Sequence, residues 1–410
     1  MNNIRRKLLI ITTYFPPVQS VASQRIISFV KYLSPEKYDI KVIAWSDEPA
    51  VAPELAGVSY QVVYLPNPTL LKRAKFTKAS SALVHKFKAL YNVVLALAGI
   101  NEMSGWGKLA DKEVSRILVD WKPDLMLATY PSAEALQVGI RNARNFGIPF
   151  VADLRDGITN NSSHGFFVRK RLQSLETQVM HASRAILTVS KPLVEYLKLR
   201  YPTIDKQIFE LRNGFDFVPG NTGTFNDVFT ICYAGTFYGD RKPAHFFEAV
   251  LSLIKQGRIK NIRLQFPGVL KNFHIPEALE KYCEFLPKMP YNQVIQIIRN
   301  ADALLLVLDK SEYKGAYSAK IFDYLGAMRP VIAIVDREDV AARLIRDCRA
   351  GFVAEWNDVH EISEAIIGAL KLWEEKKLPD FDRVIIEAHH RRVLAQRLEN
   401  ILDELSEKHV

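Results

Sequence analysis

Ala303-Leu304-Leu305-Leu306-Val307, then Ser318-Ala319-Lys320-Ile321-Phe322-Asp323-Tyr324-Leu325-Gly326-Ala327, then Val331-Ile332-Ala333-Ile334: the order of these three pieces decides the fold. The first and last are short, continuously apolar runs, the mark of strands covered on both faces. The middle piece reads as a helix over Ala319–Ala327 with Ser318 as its N-cap. A strand, a helix and a second strand imply a parallel pair with a right-handed crossover.

The alternation continues in both directions. Upstream in this half, strands are expected at Phe229–Tyr233, Arg263–Phe266 and Cys283–Phe285, with helices at Ala244–Gln256 and Tyr291–Asn300. Downstream, helices are expected at Ala341–Asp347 and Val359–Lys371, and a long amphipathic one from Phe381 to about Leu405. A second such series occupies the first half. Its strands are Lys7–Thr12, Ile40–Trp45, Gln61–Tyr64, Asp124–Ala128, Phe150–Asp153 and Ala185–Val189. Its helices are Ala22–Leu33, Ser132–Asn145, Phe167–Ala182 and Lys191–Arg200. The fold class is therefore α/β, with two doubly wound Rossmann-like domains facing a cleft. Asn213-Gly214 and the weakly structured 218–227 mark the junction. The expected domains are 1–215, 216–380 and a C-terminal helix, 381–410, returning to the first domain.

Composition narrows the function. The 410 residues are 48% apolar and 24% charged, as in a globular protein. Three cysteines stand far apart, which argues against a disulfide framework and a structural zinc site and suits a reducing, cytoplasmic setting. The run Leu8–Ile11 is too short for a signal peptide, and no stretch reaches the roughly 18 apolar residues of a membrane span. The net charge of +10 fits an anionic partner. No nucleic-acid-binding module is recognisable, which leaves a membrane surface or phosphate. Lys72, Arg73, Lys75, Lys78, Lys86 and Lys88 precede the apolar run Leu90–Ala98. A basic segment beside an apolar helix suits an interfacial helix on anionic lipid, so Leu71–Ile100 points to membrane contact. The same pattern also fits a solvated face beside a core helix.

Four segments carry chemistry. Tyr14 to Arg25 leaves the first strand for the first helix, and its small residues Ser20, Ala22 and Ser23 let a ligand approach, with Ser23 able to cap the helix. It is not a G-x-G-x-x-G dinucleotide fingerprint. Asp153-Leu154-Arg155-Asp156 places charges at the end of an apolar strand; the carboxylates can accept hydrogen bonds and Arg155 can pair with phosphate, or the set can cap the strand. Tyr233-Ala234-Gly235-Thr236 follows the next domain's first strand, where Gly235 admits a diphosphate close to the backbone and Arg241-Lys242 supply charge. In the stretch quoted first, the helix start offers free N–H groups to an anion, and Asp323 lies one turn beyond Lys320 on the same face.

Taken together, Ala152-Asp153-Leu154-Arg155-Asp156, Arg212-Asn213-Gly214-Phe215-Asp216, Tyr233-Ala234-Gly235-Thr236 and Lys320-Ile321-Phe322-Asp323-Tyr324-Leu325 with Arg329-Pro330-Val331 resemble the motifs of GT-B glycosyltransferases of family 4. The match is by motif and order, over roughly residues 7–405. The resemblance implies the GT-B fold and a retaining, metal-independent hexosyltransferase acting in bacterial surface-polysaccharide biosynthesis. Its donor is a nucleoside diphosphate sugar, its acceptor a saccharide, lipid-linked at the inner face of the plasma membrane, and no cofactor is required.

The same resemblance implies site roles. Arg155, Asp156, Arg241 and Lys242 are the catalytic candidates. Gly235, Thr236, Gly268, Pro287, Met289, Tyr317, Ser318, Ala319, Lys320 and Asp323 would bind the donor, with Asp323 on the ribose. Ser20, Ser23, Arg25 and Asp153 would meet the acceptor. Arg155 stands where many members carry a histidine, and Gly315 replaces the first of two carboxylates spaced eight residues apart. Two other readings stay open: a non-catalytic homologue acting as a membrane-associated binding partner, and a nucleotide-sugar 2-epimerase. The epimerase would need acid–base carboxylates and histidines that the sequence does not cluster. The lone Asp380-Phe381-Asp382 is read as helix capping rather than as a metal motif.

Overall fold

The computed structural model describes residues 5–18, 20–50, 52–68, 91, 103–159, 166–237, 242–269, 273–308, 315 and 317–407. The chain divides into two compact units, 1–212 with 395–410, and 213–394.

In the first unit the elements are β1 (Arg6–Ile11), α1 (Val21–Tyr32), β2 (Tyr38–Trp45), β3 (Gln61–Leu65), α2 (Ser104–Asp120), β4 (Leu125–Tyr130), α3 (Ala133–Phe146), β5 (Phe150–Leu154), α4 (Phe166–Ala182), β6 (Ala185–Thr188), α5 (Lys191–Arg200) and β7 (Gln207–Glu210). The sheet order is β3-β2-β1-β4-β5-β6-β7, with parallel pairing throughout. Strand order reverses between β1 and β4, so the loops leaving their carboxyl ends diverge and open a crevice there. The apolar runs read from the sequence are these strands: β1 from Leu8, all of β4 and all of β5 are buried.

The second unit runs β8 (Phe229–Cys232), α6 (Ala244–Lys255), β9 (Ile262–Pro267), α7 (Glu277–Glu280), β10 (Cys283–Leu286), α8 (Tyr291–Asn300), β11 (Ala303–Val307), α9 (Ala319–Ala327), β12 (Val331–Val335), α10 (Val340–Asp347), β13 (Gly351–Glu355), α11 (Val359–Glu374) and α12 (Arg383–Glu387). Its order, β10-β9-β8-β11-β12-β13, repeats the design with the reversal between β8 and β11. One face of this sheet packs Phe237, Phe246, Phe247 and Phe266 into a single aromatic core. Fully buried Arg329 holds the entering segment, donating from Nη2 to the Thr222 hydroxyl at 3.0 Å and to the Thr224 carbonyl at 2.6 Å.

The long C-terminal helix differs from expectation. Asp382 caps α12, accepting from Ile385 N at 3.1 Å, and Asp380 pairs with Arg349 at 2.7 Å, so this D-x-D is a capping element. Helix is then interrupted, and α13 (Arg391–Glu407) starts ten residues later than Phe381. The interruption is held by pairing: His389 O accepts from Phe215 N at 3.2 Å, and Phe215 O accepts from Arg391 N at 2.9 Å. From Ala395 onward the helix belongs to the first unit, where Asp403 accepts from Arg6 and Tyr38 at 2.5 Å each and Glu399 accepts from Ser34 N at 3.0 Å. The basic and apolar 71–100 segment lies outside the described residues, apart from Tyr91. Among the described residues, no helix is long and apolar enough to cross a membrane.

Candidate functional site

In the second unit, chemistry gathers where β8 and β11 part. After β8 the chain turns through Gly235 at φ +99°, a conformation that disfavours any side chain. A β-carbon there would lie 2.8 Å from Lys320 Cε. Glycine is thus required by the turn, and any side chain there would also push the end of the Lys320 side chain aside. The Lys320 ammonium donates to the Tyr233 hydroxyl at 3.3 Å and sits 4.8 Å over its ring, while Tyr233 stacks on Phe237 at 3.8 Å. This aromatic shelf fixes a half-buried cation beside Gly235, whose own N–H donates to Pro267 O at 3.3 Å.

Lys320 belongs to the first turn of α9. Ser318 occupies the N-cap position but its side chain makes no capping hydrogen bond. The dipole end and N–H groups of α9 therefore lie next to the Lys320 charge, an arrangement suited to phosphate. The buried Tyr324 hydroxyl accepts from Ala234 N at 3.0 Å, tying α9 to the end of β8.

One turn on, Asp323 takes a different partner from Lys320. The Tyr291 hydroxyl, at the start of α8, donates to Asp323 Oδ1 at 2.5 Å. Burial pushes the Asp323 carboxyl up to about 6, against the lowering pull of the Tyr291 hydrogen bond and the Arg391 charge. Tyr291 keeps 40% of its surface exposed, yet crowding about the phenol and the charges of Asp323 and Asp216 raise its pKa. Tyr291 and Arg391 are the members that sequence reading missed; Asp216 and Tyr233 stood inside quoted motifs without an assigned role. Tyr291 opens a helix whose start was legible, but no spacing rule links it to Asp323, 32 residues away.

The remaining donor candidates fall nearby in the fold or outside it. Thr236 is exposed, Tyr317 and Ala319 flank the α9 start, and Gly268, at φ +68°, donates its N–H to Leu286 O at 3.0 Å. Pro287 and Met289 lie in the loop from β10 to α8. Lys242 is exposed. Arg241 lies outside the described residues.

The first unit answers differently. Arg25 and Asp153 are 4% and 0% exposed and bind each other, with Nη2 to Oδ1 at 2.8 Å and Nε to Oδ2 at 3.0 Å. Thr129 adds a hydrogen bond to Asp153 at 3.1 Å, and Arg25 also donates to the carbonyls of Leu211 and Arg212, each at 3.0 Å. These two acceptor candidates are therefore internal: they tie α1, β4, β5 and the segment that follows β7 together, because a buried charge needs its partner. Ser20, not Ser23, caps α1, accepting from Ser23 N at 3.1 Å, and Ser23 is buried with its hydroxyl 3.0 Å from that of Ser20.

Arg155 and Asp156 remain at the surface of the crevice. The Arg155 side chain is 10% exposed; it donates to Tyr130 O at 3.3 Å and faces the 65%-exposed Asp156 at 3.5 Å. Burial lowers the Arg155 pKa, and the Asp156 and Asp153 charges oppose that shift. No group of three or more His, Cys, Asp or Glu side chains able to hold a metal occurs among the described residues.

No protein-family model and no curated protein matches the sequence. Solved structures do match across nearly the whole chain. Sucrose-phosphate synthase from Thermosynechococcus elongatus is 12% identical, covering 98% of this chain and 99% of its own, with a TM-score of 0.66. Anabaena HepE, solved in complex with UDP and glucose, is 13% identical over 98% and 100%, with a TM-score of 0.63. A UDP-N-acetylglucosamine 2-epimerase assignment from Listeria monocytogenes is 11% identical over 98% and 97%, with a TM-score of 0.55. At such identities the likeness establishes the fold, two parallel-sheet Rossmann-like domains of GT-B type.

Proposed function

We propose that this chain is a retaining glycosyltransferase of hexosyl type, moving a sugar from a nucleoside diphosphate sugar to a saccharide acceptor without a metal. The observation that carries this reading is the joint placement of Gly235, Lys320 and Asp323 at the β8/β11 reversal of the second unit. A diphosphate would lie along the Gly235 backbone and the α9 start, with Lys320 beside it. Asp323 would accept ribose hydroxyls on Oδ2 while Tyr291 holds Oδ1. The UDP and glucose bound to HepE support a nucleotide sugar as donor.

The demanding step is charge separation as the diphosphate leaves. Fixed cations and N–H groups stabilise that charge without reorganising, an effect of several kcal/mol at comparable sites. Lys320 and α9 supply it from the described residues, and Arg241 and Lys242 are the further cations this reading assigns. Arg155 and Asp156, at the carboxyl end of β5, are assigned to the acceptor side and the reacting sugar.

A lipid-linked acceptor of surface-polysaccharide assembly, met at the cytoplasmic membrane face, is the form of the proposal that the basic 71–88 sequence supports. The test is turnover. The purified protein is incubated with UDP-, GDP- and dTDP-sugars and isolated membrane lipid, with and without chelator, and nucleotide release and product anomeric configuration are read by NMR. Sugar transfer with retention, unaffected by chelator, supports the proposal; inversion or metal dependence overturns its mechanism. Gly315, standing at the position of a lost carboxylate, favours one second reading: nucleotide binding without transfer by a non-catalytic homologue. The 2-epimerase reading gains the shared fold alone, and appearance of a C2-epimerised nucleotide sugar in the same assay would select it.

A further inference from the structure

A recess of about 700 Å³ opens in the first unit at the amino ends of β5, β6 and β7, the opposite edge of the sheet from the β1/β4 crevice. Its volume falls in the range of small-ligand sites, roughly 300–1,000 Å³. Arg144, Arg184, Lys206 and His181 line it, and Asp205 is the one carboxylate among the lining residues. Three permanent cations thus face one exposed carboxylate.

Part of this charge has an internal use. Helices α3 and α4 both end here, and Arg144 and His181 stand in their last turns, where a cation offsets the helix dipole. The inner pair is not explained that way. Arg184 Nε is buried and has no hydrogen-bond partner among the described residues. Lys206 donates to the Ser183 carbonyl and is half-buried; burial first and the Arg184 charge second lower its pKa, against the opposing pull of Asp205. Two like charges and an unfilled N–H are costly to hold together, and Asp205 offsets only one of the charges.

We infer that this recess is a binding site for a phosphate monoester, with Arg184 and Lys206 contacting the phosphate and Arg144 and His181 at its rim. With Arg144 serving the α3 dipole, Arg184 and Lys206 against Asp205 leave a net charge of about +1, which a monoester of about −1.5 to −2 charges at neutral pH would offset. The Arg184 guanidinium would donate to one phosphate oxygen, and the remaining ammonium hydrogens of Lys206 to another. The site is independent of the nucleotide-sugar reading of the second unit.

Inorganic phosphate and glycerol 3-phosphate are titrated calorimetrically into the whole protein held in saturating UDP, so that any phosphate site in the second unit is filled. Binding is expected to persist in UDP and to weaken at least tenfold in Arg184→Gln and in Lys206→Gln. The exposed Arg144→Gln should weaken it a few-fold while lowering thermal stability only slightly through the lost helix-dipole contact, which covers the case in which an inner variant folds poorly. Cosedimentation with phosphatidylcholine vesicles, with and without phosphatidic acid, separates the sources: capture that Arg184→Gln abolishes assigns a lipid headgroup, and binding of the soluble esters alone assigns a free metabolite. No binding in UDP, or binding indifferent to all three substitutions, overturns the inference.

Discussion

The Tyr291 hydroxyl lies 2.5 Å from Asp323 Oδ1, joining the start of α8 to the first turns of α9 in one hydrogen bond. Because burial raises the Asp323 carboxyl to about 6, above its usual value near 4, the folded protein holds this proton where the unfolded chain has lost it. Stability from this group is therefore full below about pH 4 and falls as pH rises toward 6. Asp323→Asn, which keeps an acceptor for Tyr291, should stabilise the protein at pH 7.5 by on the order of 1 kcal/mol after allowance for solvent screening. The gain should vanish by pH 4. Denaturant melts of both proteins across that interval check this, and an equal offset at every pH would refute it.

The same carboxylate gives a functional expectation of opposite sense. Ribose hydroxyls donate, so the ionised form binds them better. Nucleotide affinity should fall as pH drops below about 6 in the native protein, and Asp323→Asn should bind weakly with a flat profile. Titrations at pH 5.0, 6.0 and 7.5 would read it.

Gly235→Ala is expected to act through two faults at once. Its left-handed φ strains any side chain by about 1–3 kcal/mol, and the new methyl displaces Lys320. Melting temperature should drop, and nucleotide affinity should fall at least tenfold. By contrast Gly220→Ala, at φ +143° with nothing within 4 Å, should lower stability while leaving affinity as it was.

Arg25 and Asp153 should behave as one unit. Removing either alone leaves a buried charge, a loss of about 3–5 kcal/mol, whereas Arg25→Met with Asp153→Leu should recover part of it. A double-mutant cycle by chemical denaturation gives the coupling. Additive losses would mean that the pair does not hold the first unit together.

Much of this was legible from residue pattern. The buried strands β1, β4, β5, β11 and β12 announce themselves as unbroken apolar runs, and helices α5, α8 and α9 begin and end where their patterns do. Strands β7 and β13 were not read from the sequence; both are edge strands, largely half-buried, whose short apolar stretches Ile208-Phe209 and Phe352-Val353-Ala354 are closed off by polar residues or glycine. Helix α2 escaped because Gly105 and Gly107 dilute its start, although a β-carbon at Gly107 would lie only 3.0 Å from Glu134 Cγ. In the candidate site, residue types and loop positions were readable, and so Gly235, Lys320 and Asp323 could be named as candidates. Partner choice was not. Asp153 reads like an acceptor ligand until Arg25, 128 positions away, is seen to occupy it.

The most direct measurement is the thermal stability of the intact protein with UDP, GDP and dTDP, for the native chain, Lys320→Ala and Gly235→Ala. One nucleotide at about 100 times its dissociation constant should stabilise the native protein by about 2.7 kcal/mol, and the gain should be lost in both variants. No stabilisation by any of the three, or equal stabilisation of the variants, would contradict a nucleotide site at the β8/β11 reversal.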